Sequence, residues 1–148
     1  QYADYTIAVL THSYLNSKNE HIEKENYPLT DTNYGQAIWE KLIKPSQNIQ
    51  LVFSGHIGSP NNFKEHVAFR IDKNAAGKKV NQMTFNAQAL GGGWQGNGGD
   101  GWLRLLEFLP DGKTVKVHTF SPYFAISPST RHLAWQRDSY NEFSFVLD

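Results

Sequence analysis

Cysteine is absent from the chain, which removes disulfides and thiolate metal sites together. Long apolar runs are missing too: runs such as residues 7–10 and 51–53 fall far short of the ~20 residues a membrane-spanning helix needs. Nor is there an excess of either charge. Lysine plus arginine equals aspartate plus glutamate, 14 each, so no overall charge recruits nucleic acid or an anionic membrane. The first residue is Gln1, with no basic or apolar leader before the first apolar run, which reads as a processed protein or an excised piece. What the chain has in quantity is aromatic: nine phenylalanines, seven tyrosines and four tryptophans, punctuated by Gly, Asn and Asp. That composition favours β structure, and a carbohydrate-binding sandwich fits it as well. At 148 residues the length suits a single domain over 1–148 with a real core.

Residues 7–11 form a continuous apolar run of strand length, expected to be buried on both faces. Residues 16–32 are polar, contain Pro28, and read as a long surface loop. Thr30, Asp31, Thr32 and Asn33 are candidate N-caps for a helix in which Tyr34, Ile38, Trp39, Leu42 and Ile43 recur at helical spacing until Pro45. Residues 49–53 are a second buried strand ending at Ser54-Gly55-His56. The remainder reads as β-rich. Strands over 67–72 and 80–85 flank the turn Asn74-Ala75-Ala76-Gly77, and strands over 102–109 and 114–120 flank Pro110-Asp111-Gly112-Lys113. Phe143, Phe145 and Leu147 alternate in a last strand. The class is therefore mixed, β-rich α/β.

Seven of the twelve glycines crowd between Gly91 and Gly101. The segment opens no predicted helix and lacks a Lys-Ser/Thr ending, so it is not a phosphate-cradling loop. It reads as a wide turn between strands; its functional alternative is a loop at the mouth of a site, with Trp94, Gln95 or Asn97 touching substrate.

Strand, helix, strand in that order makes the two apolar strands parallel, with their carboxyl ends on one edge of the sheet. That edge is where open α/β proteins bind ligands. His12 directly follows the first strand, and His56 follows the second through Gly55, a residue free to take an unusual backbone conformation. Two imidazoles about one or two strand spacings apart, within ~10 Å, are candidate metal ligands. His21, His66, His118 and His132 have no such context and read as surface or packing residues. No Ser-His-Asp arrangement or nucleophile elbow can be assembled, and no catalytic side chain beyond the two ligands is read.

Thr11-His12-Ser13-Tyr14-Leu15, Gly35 to Leu42, and Asn48 to Ile57 resemble the later motifs of calcineurin-like metallophosphoesterases, most closely the secreted or envelope-associated bacterial ones. Residues 102–112, 119–122 and 141–145 extend the resemblance over nearly the whole chain. It implies an αββα two-sheet sandwich with a two-metal centre of divalent ions such as Mn, Zn or Fe, and hydrolysis of a phosphomono- or diester by a metal-activated water. A secreted, periplasmic or outer-envelope location is implied too. The family order is DxH, GD, GNH(D/E), a lone histidine, then GHxH, and its last two elements match His12 and His56 as metal ligands. Where GHxH has its final histidine this chain has Gly58, which implies either a weakly bound first metal or a replacement ligand from Asn61, Asn62 or His66. DxH, GD and GNH(D/E) are not found before His12. The resemblance therefore implies the C-terminal portion of a longer phosphoesterase domain, inactive alone, whose partners are the N-terminal half of its own domain, the phosphoester, and a second copy pairing at the strand edge near residues 7–11. The competing reading is a non-catalytic, β-rich carbohydrate-binding or structural module in which Trp94, Trp102 and Trp135 serve as stacking platforms.

Overall fold

A computed structural model describes residues 4–93 and 95–148. The class is mixed α/β and β-rich. The chain forms two compact units that interleave along the sequence: residues 1–57, 67–85 and 148 make the first, residues 58–66 and 86–147 the second.

The first unit is a four-stranded sheet in the order β1-β2-β4-β3. β1 (Ile7–Leu10) and β2 (Ile49–Ser54) are parallel, Leu10 facing Phe53. β4 (Lys79–Phe85) runs parallel to β2, and β3 (Val67–Lys73) returns antiparallel beside it. The inner strands β2 and β4 are the most buried. β1 is different: only alternate residues are half-buried, and Leu10 is 79% exposed. The expectation of burial on both faces is corrected for β1, because an apolar run reports strand length but not rank in the sheet. The turn between β3 and β4 is set by Asn74, whose Oδ1 accepts from the backbone N–H of Ala76 and Lys78.

Between β1 and β2 lies α1 (Gly35–Ile38), which continues as a π-helical turn from Trp39 to Ile43. None of the four proposed caps is used. Tyr34 is the N-cap residue, extended and without a side-chain cap bond, because Gly35 lies directly against the Tyr14 carbonyl. A Cβ at position 35 would stand 2.0 Å from that oxygen, so glycine is what lets the helix start here. Trp39 and Ile43 then pack with Tyr14, Leu15, Ile49, Val52, Ala68 and Val80 as the core.

The second unit is built on β6 (Thr114–Phe120), with β5 (Leu103–Phe108), β7 (Trp135–Gln136) and β8 (Phe143–Val146) all antiparallel to it. Val115, Val117 and Phe145 bury one face. Asp111 closes the β5–β6 turn by accepting from Lys113 N–H and from Thr114 N–H and Oγ1–H. These hydrogen bonds hold its carboxyl at about 2. Ser121 caps α2 (Pro122–Ile126) by accepting from Phe124 N–H, with Pro122 in the first helical turn. Arg104 extends from β5 to Thr119 Oγ1, Tyr140 O and Asn141 Oδ1. Burial lowers its pKa to about 10. Among the described residues no helix is long and apolar enough to cross a membrane.

Candidate functional site

The parallel pairing of β1 and β2 carries on beyond the strands. Thr11 N–H donates to Phe53 O at 3.0 Å and Gly55 N–H to His12 O at 3.0 Å. Two chain segments pinned in this way must emerge side by side, and the His12 and His56 rings lie with centroids 4.4 Å apart, tilted by 42°. His12 is exposed and the His56 side chain is 29% exposed, so solvent reaches both. The unusual backbone expected near Gly55 falls on His56 itself, at φ +66°. There Ile57 N–H donates to Gly55 O at 2.8 Å, closing a three-residue turn of the rarer, strained hand. A positive φ on a residue with a Cβ costs on the order of 1–3 kcal/mol. At the sheet edge it turns the chain sharply just where the imidazole leaves it.

Two further side chains join the histidines, both from the polar 16–32 segment. Tyr27 Oη lies 3.2 Å from His56 Nε2. Glu25 Oε1 is 3.8 Å from the same nitrogen, with its side chain only 10% exposed, and the carboxylate accepts a hydrogen bond from Ser13 Oγ. Reading this segment as a surface loop missed them. It folds back because Leu15 bridges to His21, Ile22 N–H donates to Tyr14 O, and Gln36 N–H donates to Ile22 O. The signal available was Ile22, the lone apolar residue between Asn16 and Glu25, which is buried. A groove of about 630 Å³ runs along the segment, lined in part by Glu20, His21, Glu25, Gln36 and Arg70.

His21 belongs to a separate internal network, consistent with a packing role. Gln82 Oε1 accepts from Tyr14 Oη and His21 Nε2, each at 2.7 Å, while Gln82 Nε2 donates to Asp72 Oδ2 at 2.8 Å. Arg70 donates twice to the same carboxylate, at 2.5 and 3.0 Å. Burial pushes the Tyr14 hydroxyl well above its ordinary range. For Asp72 burial acts upward, but the hydrogen bonds from Arg70 and Gln82 prevail and its carboxyl sits below the usual value. His21 also stacks on Trp39 with ring centroids 5.4 Å apart.

At Gly58 the reason for glycine is visible. A Cβ there would stand 2.5 Å from His66 Nδ1 and 2.8 Å from His66 Cε1. The His66 ring, fully buried, thus fills the space a side chain at position 58 would enter. Its Nε2 donates to the Ser59 carbonyl, leaving the lone pair on Nδ1, which is buried without a hydrogen-bond partner among the described residues. Asn62 instead braces its own turn, donating to Glu65 Oε1 and accepting from Glu65 N–H, and Asn61 is exposed. In the glycine-rich loop Gln95 is exposed, and Asn97 is held by Asp100, donating to its Oδ1 at 2.6 Å and accepting from its N–H. Trp94 lies outside the described residues.

Two imidazoles with a carboxylate beside them have the donor chemistry of a divalent-metal shell. Among the described residues, however, no group of three His, Cys, Asp or Glu side chains is arranged to hold an ion. The fit is to part of a coordination shell. No family model matches the chain, and no solved structure matches it. It is similar to the uncharacterized protein YvnB of Bacillus subtilis (strain 168), with 36% identity over 96 residues, 60% of this chain. The chain spans 6% of the length of that relative.

Proposed function

We propose that the chain is the C-terminal half of a calcineurin-like metallophosphoesterase of the secreted or envelope-associated type, contributing to an αββα two-sheet sandwich. The observation carrying this reading is the 4.4 Å approach of the His12 and His56 rings at the carboxyl edge of parallel strands. Divalent ions held there would polarise a phosphoester and lower the pKa of water. His12 and His56 would hold one ion as neutral imidazoles. Glu25 and Tyr27 would orient His56 through its Nε2 or release that nitrogen for coordination. β1, as the outer strand of its sheet with Leu10 exposed, offers the edge along which the rest of the domain would pair.

The test is hydrolysis of an aryl phosphate with added manganese or zinc, by the parent protein and by this chain alone. The parent should turn over. His12→Ala and His56→Ala should each lower its rate by at least the 10–100-fold typical of losing an outer partner of a ligand. The chain alone should be inactive and, by light scattering, dimeric through its exposed edge. Metal-dependent turnover by the chain alone, or full activity in both histidine variants of the parent, would refute the reading.

A further inference from the structure

The second unit contains a cleft of about 410 Å³, within the size range of small-ligand sites, and its lining differs in kind from the histidine edge. Its walls are aromatic. The Trp102 ring is braced edge-on by Phe63 and by Phe124, with both centroid distances 5.5 Å. Trp135 packs against Phe120 at 4.5 Å, yet remains 44% exposed. Both indoles are therefore held by neighbouring rings before any ligand arrives, and little side-chain entropy remains to be lost on binding.

Polar groups with spare capacity border these rings. Asp100 lines the cleft, and among the described residues only its Oδ1 accepts a side-chain hydrogen bond, from Asn97. His132 and Gln136 line it too, and neither side chain hydrogen-bonds to another described residue. Asp100 is fixed by the glycine-rich loop: its φ is +53°, its carbonyl accepts from Ser121 Oγ, and a side chain at Gly91 would strike its Oδ1. Lysine and arginine are absent from the described lining.

Apolar ring faces beside a partly engaged carboxylate and unengaged amide and imidazole groups suit a molecule with an apolar C–H face and a hydroxyl rim. The absence of lysine and arginine from the described lining and the presence of Asp100 disfavour a phosphorylated one. We infer that this cleft binds a neutral saccharide, stacked on Trp102 and Trp135 with its hydroxyls bonded to Asp100, Gln136 and His132. This site is independent of the histidine edge and does not rest on the phosphoesterase reading.

Titrating the whole chain with cellohexaose, maltohexaose and N-acetylchitohexaose, read by tryptophan fluorescence and calorimetry, tests the assignment. At least one should bind with a Kd at or below about 1 mM. Trp135→Ala should weaken that binding at least tenfold, with an unchanged circular dichroism spectrum. Gln136→Ala, a milder change, should weaken it measurably, and His12→Ala should leave it unaltered. Three outcomes overturn the proposal: none of the three oligosaccharides binding, binding indifferent to both Trp135→Ala and Gln136→Ala, or tighter Trp135-dependent binding of AMP, which would make the cleft a base-stacking site.

Discussion

If the His66 ring truly occupies the space of a side chain at position 58, the two positions must be energetically coupled. Gly58→Ala would introduce a Cβ at 2.5 Å from Nδ1, whereas ordinary contact begins near 3.4 Å, so the ring has to give by roughly 1 Å. Two contacts resist this: Nε2 is bonded to Ser59, and Asn86 Nδ2 stands 3.3 Å from the added carbon. Overpacking of this kind costs about 1–3 kcal/mol. The backbone at Gly58 is not in the left-handed region, so the alanine recovers about 0.4–1 kcal/mol through the unfolded chain. A net loss of about 1–2 kcal/mol is expected. His66→Ala alone opens a cavity and should also destabilise, by about 2 kcal/mol. In the double variant the methyl enters space the ring has left, and the loss should fall short of the sum by about 1 kcal/mol or more. Urea unfolding of the four proteins, followed by fluorescence and circular dichroism, reads this directly. With a slope of about 2 kcal/mol/M, the single alanine should move the midpoint by about 0.5–1 M. A Gly58→Ala midpoint equal to that of the parent chain, or strict additivity in the double variant, would show that the ring and position 58 do not compete.

Gly35→Ala should be harsher, since its Cβ would meet backbone rather than a side chain; a loss of about 3 kcal/mol is expected by the same urea assay, and a loss under about 0.5 kcal/mol would contradict the close approach to Tyr14. Asp72 gives a pH signature. Its folded-state pKa lies below the unfolded value of about 3.9, so its stabilisation is full above that value and is lost as pH falls through the folded pKa. The stability difference between the parent chain and Asp72→Asn should therefore be flat, at about 1 kcal/mol, from neutral pH to about 5 and shrink below about 4; a difference that grows on acidification would reverse the assignment.

Much of the first unit was legible because its signals are local. The apolar run of β2 and the Asn74 turn each need only neighbouring residues, as does the Asp111 turn of the second unit. The rank of β1 at the edge was not legible, since pairing partners are distant in sequence. Helix initiation at Gly35 was missed for a related reason: the competing candidates obeyed capping chemistry, while the deciding contact was the Tyr14 carbonyl, about twenty residues earlier. The juxtaposition of His12 and His56 followed from chain topology alone. Glu25 and Tyr27 did not, because the loop that carries them is organised by backbone bonds to Tyr14 and Gln36 that leave no mark in composition beyond Ile22.

The interleaving of the two units sets the order in which they can be completed during synthesis. Residues 58–66 leave the ribosome ahead of the β3–β4 hairpin, yet their partners begin only at residue 86. His66 must wait for Asn86, whose N–H bonds to its carbonyl, and Phe63 must wait for Trp102. Meanwhile residues 67–85 can pair at once with β2. Both ends of the early segment are thus held in the first sheet while its own partners are still unmade. For the same reason no single cut separates the antiparallel sheet cleanly: a piece starting at residue 86 leaves behind Phe63, one of the two rings that brace Trp102, and a piece starting at residue 58 keeps it only by carrying β3 and β4 out of the first unit's sheet.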